Sequence, residues 1–126
     1  MPAMETISQK IIQQTDKLLD DRATLSNRQV QKLQTIHRCT LDFLRTYHAR
    51  HKLSQKQLQT YLQWEAINPI TMMVGYSELM MMGFCGKFTD EQQKLIHELN
   101  RYCYMLQDML QTHQKKAEGD AATAQG

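Results

Sequence analysis

Trp64-Glu65-Ala66-Ile67-Asn68-Pro69-Ile70-Thr71, followed a turn later by Gly75-Tyr76-Ser77-Glu78-Leu79, is the stretch on which the fold turns. A helical apolar stripe runs through it from Leu58 to Met82. Leu62, Ala66, Ile70, Met73, Ser77, Met80 and Phe84 fall on one seam of that stripe. Pro69 sits inside it. A proline in a helix interior costs about 3 kcal/mol, because it lacks an amide hydrogen and crowds the preceding turn. Either something compensates or the helix kinks there, and a broken local rule of this kind tends to mark a functional site.

Outward from this stretch, three capping boxes punctuate the chain. In each, a Ser or Thr is followed three residues later by Gln, so that two orphan amides at a helix start are satisfied reciprocally. They are Ser26-Asn27-Arg28-Gln29, Ser54-Gln55-Lys56-Gln57 and Thr89-Asp90-Glu91-Gln92. Helices are expected to start near 27, 55 and 90. A shorter one is expected over about 4–20, with Ile7, Ile11 and Leu18 on one face. The second helix carries Leu33, His37, Thr40, Leu44 and Tyr47, widened by Ile36 and Phe43. The last carries Leu95, Leu99, Tyr102, Leu106, Met109 and His113, the spacing of a bundle seam. The link from Gly83 to Phe88 is short, which makes the third and fourth helices antiparallel neighbours.

No stretch alternates as a strand would, and Gln, Leu, Met and Lys are good helix formers. The class is all-α. The expected organisation is an N-terminal helix in 1–25, a connecting helix in 26–53, a helical hairpin in 54–116 and a small, polar, disordered tail in 117–126. With 126 residues, 41% hydrophobic and 22% charged, the chain has the composition of one globular domain. Its net charge of +2 is too small for a nucleic-acid footprint. No apolar run approaches the roughly 20 residues of a membrane span, and no signal peptide is visible. The expected location is cytoplasmic. Cys39, Cys85 and Cys103 form neither an even disulfide set nor a zinc pattern, so they are expected to be free, buried thiols. No metal or cofactor is expected.

The quoted stretch resembles the phosphoacceptor helix of the dimerisation domain of sensor histidine kinases. That family's motif is His-Glu/Asp-x-x-Asn/Thr-Pro-Leu/Ile-Thr, followed by a Gly-Tyr-Ser-Glu-Leu-like segment. Glu65, Asn68, Pro69, Ile70 and Thr71 match in register, as do Gly75, Tyr76, Ser77, Glu78 and Leu79. The glycine-containing link and the Thr89-x-x-Gln92 entry to the next helix also fit, so the resemblance spans roughly residues 55–113. The phosphoacceptor position is Trp64, and indole cannot take a phosphoryl group as imidazole does. No Gly-rich nucleotide box follows. The chain is therefore not expected to be a complete kinase or to autophosphorylate at this site.

At about 100° per residue, Trp64, Asn68, Thr71 and Gly75 share the side opposite the apolar seam. In the family that side receives the response regulator's receiver domain. A large exposed Trp beside small polar residues would make an interaction hot spot; the competing expectation is that Trp64 packs under the second helix as core filler. The resemblance implies that the acid at Glu65 assists phosphoryl transfer and that Asn68 orients a water for dephosphorylation. The competing expectation is that both are solvated helix residues. Met72 and Met82 turn toward the Trp64 side and would extend a binding patch, while Met73 and Met80 face the core. His48 and His51 suit a solvated helix end, and His97 is expected on the surface. None has the partners of a catalytic nucleophile.

The resemblance implies a hairpin that pairs with its twin into a dimeric four-helix bundle. The other arrangement left open is a monomeric bundle completed by the first two helices. The leading functional expectation is a non-catalytic interaction module in two-component signalling, binding a receiver domain or a sensor kinase through Trp64, Glu65, Asn68, Thr71, Met72 and Gly75. A stand-alone phosphatase using Asn68 and a purely structural oligomer are the other readings.

Overall fold

The structure is a computed structural model that describes residues 3–125, with side chains through His113. Where a tail is expected over 117–126, the backbone continues α5 as far as Gln125, and Gly126 lies outside the described residues. Regular structure among the described residues is entirely helical: α1 (Met4–Asp20), a single 3-10 turn (Arg22–Thr24), α2 (Asn27–Leu53), α3 (Gln55–Trp64), α4 (Ile67–Met81) and α5 (Asp90–Gln125).

The helix starts follow from local hydrogen bonding. Ser26 Oγ accepts from the Gln29 amide at 3.1 Å, and the Ser26 amide donates to Gln29 Oε1 at 2.8 Å. Thr89 and Gln92 form the same reciprocal pair at 3.1 and 2.9 Å. At Ser54 only one half forms, the Gln57 amide donating to Ser54 Oγ at 3.1 Å. Both complete boxes also tie down a distant loop. Ser26 Oγ donates to the Cys85 carbonyl, and Gln29 Nε2 donates to the Lys87 carbonyl at 3.0 Å. Gln92 Nε2 donates to Thr24 Oγ1 at 2.7 Å. One end of the molecule is therefore cross-linked by buried glutamine amides that already cap helices.

The stripe from Leu58 to Met82 is divided into α3 and α4 by Glu65 and Ala66, whose backbone stays right-handed helical, so the limb is interrupted by a local kink. The amides of Glu65 and Ala66 both donate to the Tyr61 carbonyl, each at 3.0 Å, and α3 stops there. Pro69 then occupies the third position of α4. In a first turn the amide has no intrahelical acceptor to lose, so the proline costs little. Ala66, in the break, is fully buried and lets the corner sit against the core.

The helices run up, down, up and down, with the third limb divided into α3 and α4. Asp16 meets His37 and Glu5 meets His48, which sets α1 antiparallel to α2. Gln14 donates to Glu98 at 2.7 Å, setting α1 against α5. Lys32 Nζ lies 4.2 Å above the Tyr76 ring, and Thr40 Oγ1 lies 3.7 Å from Met73 Sδ, setting α2 against α4. Gln93 reaches the Met81 carbonyl and Asn100 reaches Ser77, setting α4 against α5. α3 continues the third limb, packing against α2, where Phe43 stacks on Tyr61, and against α5.

The shared core contains Ile7, Ile11 and Leu18 of α1, Leu33, Ile36 and Phe43 of α2, Leu58 and Leu62 of α3, Ile70, Met73 and Met80 of α4, and Ile96, Leu99, Leu106 and Leu110 of α5. The apolar faces of α4 and α5 are thus buried by α1 and α2 of the same chain. Three expected seams need correction. On α2 the buried line is Leu33, Ile36, Thr40 and Phe43, while His37, Leu44 and Tyr47 are only half-buried. Phe84 leaves the core seam and is exposed, because the chain leaves the helix at Gly83. On α5 the buried line is Ile96, Leu99, Cys103, Leu106 and Leu110, while Leu95, Tyr102, Met109 and His113 are only half-buried. α5 is flanked on two sides, by α1 and α4, so its buried arc is centred one residue beyond the stripe drawn through its larger side chains.

Candidate protein-interaction site

The corner between α3 and α4 carries the sequence-selected residues. Trp64 is the last residue of α3 and is 70% exposed. The expectation that it packs under α2 is overturned: α3 ends before the indole can turn inward, and Tyr61 and Leu62 take the buried positions instead. Glu65 is exposed and its carboxylate lies 3.5 Å from Arg50 at the end of α2. Both partners are well solvated, so this pair contributes on the order of 0–1 kcal/mol. Burial pushes the nearby Tyr61 phenol above its ordinary range, with smaller raising from Glu65 and Asp42, against lowering by its hydrogen bond with Thr46 and by Arg50.

Asn68, Thr71 and Met72 are exposed on the first turns of α4, and Gly75 is half-exposed one turn further on. On α4 alone they follow helical spacing and share one face. Trp64 ends α3, and the two residues that join it to α4, Glu65 and Ala66, keep right-handed helical backbone. The side chains of Asn68 and Thr71 hydrogen-bond to no described residue. Between these positions Ile70, Met73, Val74 and Ser77 are buried, so α4 separates cleanly into an inner and an outer side.

The outer side extends further than the six selected residues. Leu79 and Met82 continue it, and Phe84 follows at the helix end. The end itself is a Schellman turn: the Phe84 amide donates to the Leu79 carbonyl and the Gly83 amide to the Met80 carbonyl, with Gly83 at φ 87°. Sequence reasoning assigned Phe84 inward and passed over Leu79. The available signal was charge, since Glu78 is the only charged residue of α4.

A second concavity, of about 730 Å³, lies at the far end of the bundle among Met4, Tyr47, Leu58, Leu62, Met105 and Met109, with His51, Gln55 and Asp108 at its rim. It forms where α5 runs past the start of α1. His48 and His51 lie near it as expected for a helix end. Among the described residues no three His, Cys, Asp or Glu side chains are grouped to hold a metal ion. The cysteines are free, with Cys85 and Cys103 buried and Cys39 half-buried. Burial pushes the Cys103 thiol up to about 12, against a smaller lowering by its hydrogen bond with Ser77. It is chemically quiet. No described helix is long and apolar enough to cross a membrane.

No protein-family model, no curated protein and no solved structure matches this chain.

Proposed function

We propose that the chain is a non-catalytic interaction module in two-component signalling, located in the cytoplasm. In this reading it binds a response-regulator receiver domain or a sensor kinase through Trp64, Glu65, Asn68, Thr71, Met72 and Gly75 and modulates phosphotransfer. The observation that carries the reading is the exposure of Trp64. A large indole held in solvent contributes nothing to its own core, whereas Trp is among the side chains most often dominant in protein interfaces. Further support comes from the register of Glu65, Asn68, Pro69 and Thr71 in the resemblance. The proposal includes a homodimer and a hairpin of α4 and α5 of the histidine-kinase type. The face through which such hairpins would join is filled here by α1 and α2, so a dimer has to use another surface.

The test is binding of the purified chain to a panel of purified receiver domains and sensor kinases from the source cell, with a Trp64→Ala, Asn68→Ala double variant in parallel. Binding of a receiver or kinase by the wild type, weakened about a hundredfold or more in the variant, supports the reading. Equal binding by both, or binding to none of the panel, removes it.

The exposed Asn68 amide, with no partner among the described residues, favours a second reading: a phosphatase that places a water on a receiver's aspartyl phosphate. That reading requires catalytic amounts of protein to speed phosphate loss, and Asn68→Ala to abolish the effect. A stoichiometric effect that survives Asn68→Ala favours binding alone.

A further inference from the structure

The fold of the single chain does not account for the outer side of α4. Trp64 is 70% exposed, Met82 66%, Phe84 65%, Met72 45% and Leu79 38%. These five residues lie within one short segment and together present roughly 600 Å² of surface, taking 150–250 Å² as the size of such side chains. A stable interface takes about 800 Å² from each partner, and Asn68, Thr71 and Gly75 lie among them to supply the remainder. The largest apolar patch on a typical monomer is about 300–600 Å². The strip also lacks the charge that an outer helix face normally carries, and charge depletion is the compositional mark of an interface centre.

Gly75 gives a second, independent indication. It sits mid-helix, where glycine is about 1 kcal/mol worse than alanine. Its backbone is ordinary helix, and a Cβ placed there would meet nothing within 4 Å. Nothing in the chain itself calls for glycine at this position. Close approach of another backbone would.

We propose that a second copy of this chain covers the outer side of α4, with the two α4 helices crossing antiparallel at Gly75. The register is self-complementary, as a two-fold interface requires. Asn68 and Met82 are equidistant from Gly75, so each faces the other's counterpart across the axis. Thr71 and Leu79 do the same. Each Trp64 is carried toward the Phe84 end of the other copy. The antiparallel sense also separates the two Glu78 carboxylates along the axis by about 9 Å, whereas a parallel pair would set them side by side. This inference gives a surface to the homodimer of the proposed function but does not depend on binding of a receiver or kinase. Where both hold, the dimer covers Trp64 and Asn68, so self-association and partner binding exclude one another.

Sedimentation equilibrium of the full chain, up to about 200 μM, tests it with no other protein present. The wild type is expected to move from monomer to dimer within that range. Leu79→Glu and Met82→Glu, at exposed positions, are expected to weaken the dimer at least about tenfold with unchanged circular dichroism. Leu53→Glu, equally apolar and 68% exposed but off the strip, is expected to dimerise as wild type does. Gly75→Ala is expected to raise the melting temperature of the dilute monomer while weakening the dimer. A wild type that stays monomeric overturns the proposal. So does dimerisation of Leu79→Glu and Met82→Glu at wild-type strength, or a Gly75→Ala dimer of undiminished affinity. A dimer in a chain that binds no receiver or kinase leaves this inference standing and removes the signalling reading.

Discussion

α4 and α5 face the same core and differ in what they show to solvent. On the inner side they are equivalent. Ile70, Met73 and Met80 of one pack with Ile96, Leu99 and Leu106 of the other. Asn100 Nδ2 donates to Ser77 Oγ at 3.0 Å in the middle of the contact. On the outer side α5 exposes Lys94, His97, Glu98 and Arg101, an ordinary solvated face. α4 exposes Asn68, Thr71, Met72 and Leu79 with a single charge in the whole helix. The inner faces are dictated by the bundle, which has to exclude water from every side of its core. The outer faces are under no such constraint. An apolar outer face on one helix and a charged one on its neighbour therefore concern something beyond the chain.

The comparison breaks at its first half if the inner faces prove unequal. Met73→Ala on α4 and Leu99→Ala on α5 each remove a fully buried side chain. Each is expected to cost about 2–5 kcal/mol in chemical denaturation. A nearly neutral Met73→Ala would mean that α4 is only loosely held.

The buried contact should also answer to alkali. The Cys103 thiol stays protonated in the fold up to about 12, because burial disfavours the thiolate, while in the unfolded chain it ionises from its ordinary value of 9.0. Between those values the unfolded state binds fewer protons, so stability falls as pH rises from about 9 toward 12. The buried Tyr61 phenol, also raised, acts in the same direction. Melting temperature measured across that range should decline, and less steeply in Cys103→Ala than in wild type. Equal slopes would mean that the thiol is solvated and that the α4–α5 contact is open.

The end of α4 offers a smaller effect. Gly83 holds φ 87°, a conformation that costs an L-residue roughly 1–2 kcal/mol. Gly83→Ala is expected to lower stability by about that amount in denaturant titration. The Schellman turn is what directs Phe84 outward, so loss of the turn would shorten the exposed strip. The smallest effect on folding belongs to the outer face itself. Leu79→Glu should change monomer stability by no more than about 0.5 kcal/mol, although it is expected to weaken self-association. A large loss of stability would show that the outer side of α4 is structural after all.

Much of the fold was legible because its signals are local. The Ser26 and Thr89 boxes start α2 and α5 where the sequence places them, since each box satisfies its own amides within four residues. The candidate site was legible in identity but not in geometry. Trp64, Asn68, Thr71 and Met72 are exposed as one of the two readings held, although Trp64 closes α3 and the others lie on α4. Pro69 carried a signal that local rules leave two-valued, since the same residue is costly inside a helix and harmless in a first turn. Phe84 was misassigned because periodicity was carried past a residue that leaves helical space.

The sequence by itself determined the all-α class, the helix starts and the inward faces of α1, α3 and α4, because backbone hydrogen bonding and a 3.6-residue period act over a few neighbours. The tertiary structure alone decided that α3 and α4 are separate helices, that α1 and α2 bury the α4–α5 face within one chain, and that Trp64 stands in solvent. Those outcomes depend on which surfaces meet over long chain separations, where burial is shared among elements that no local pattern connects.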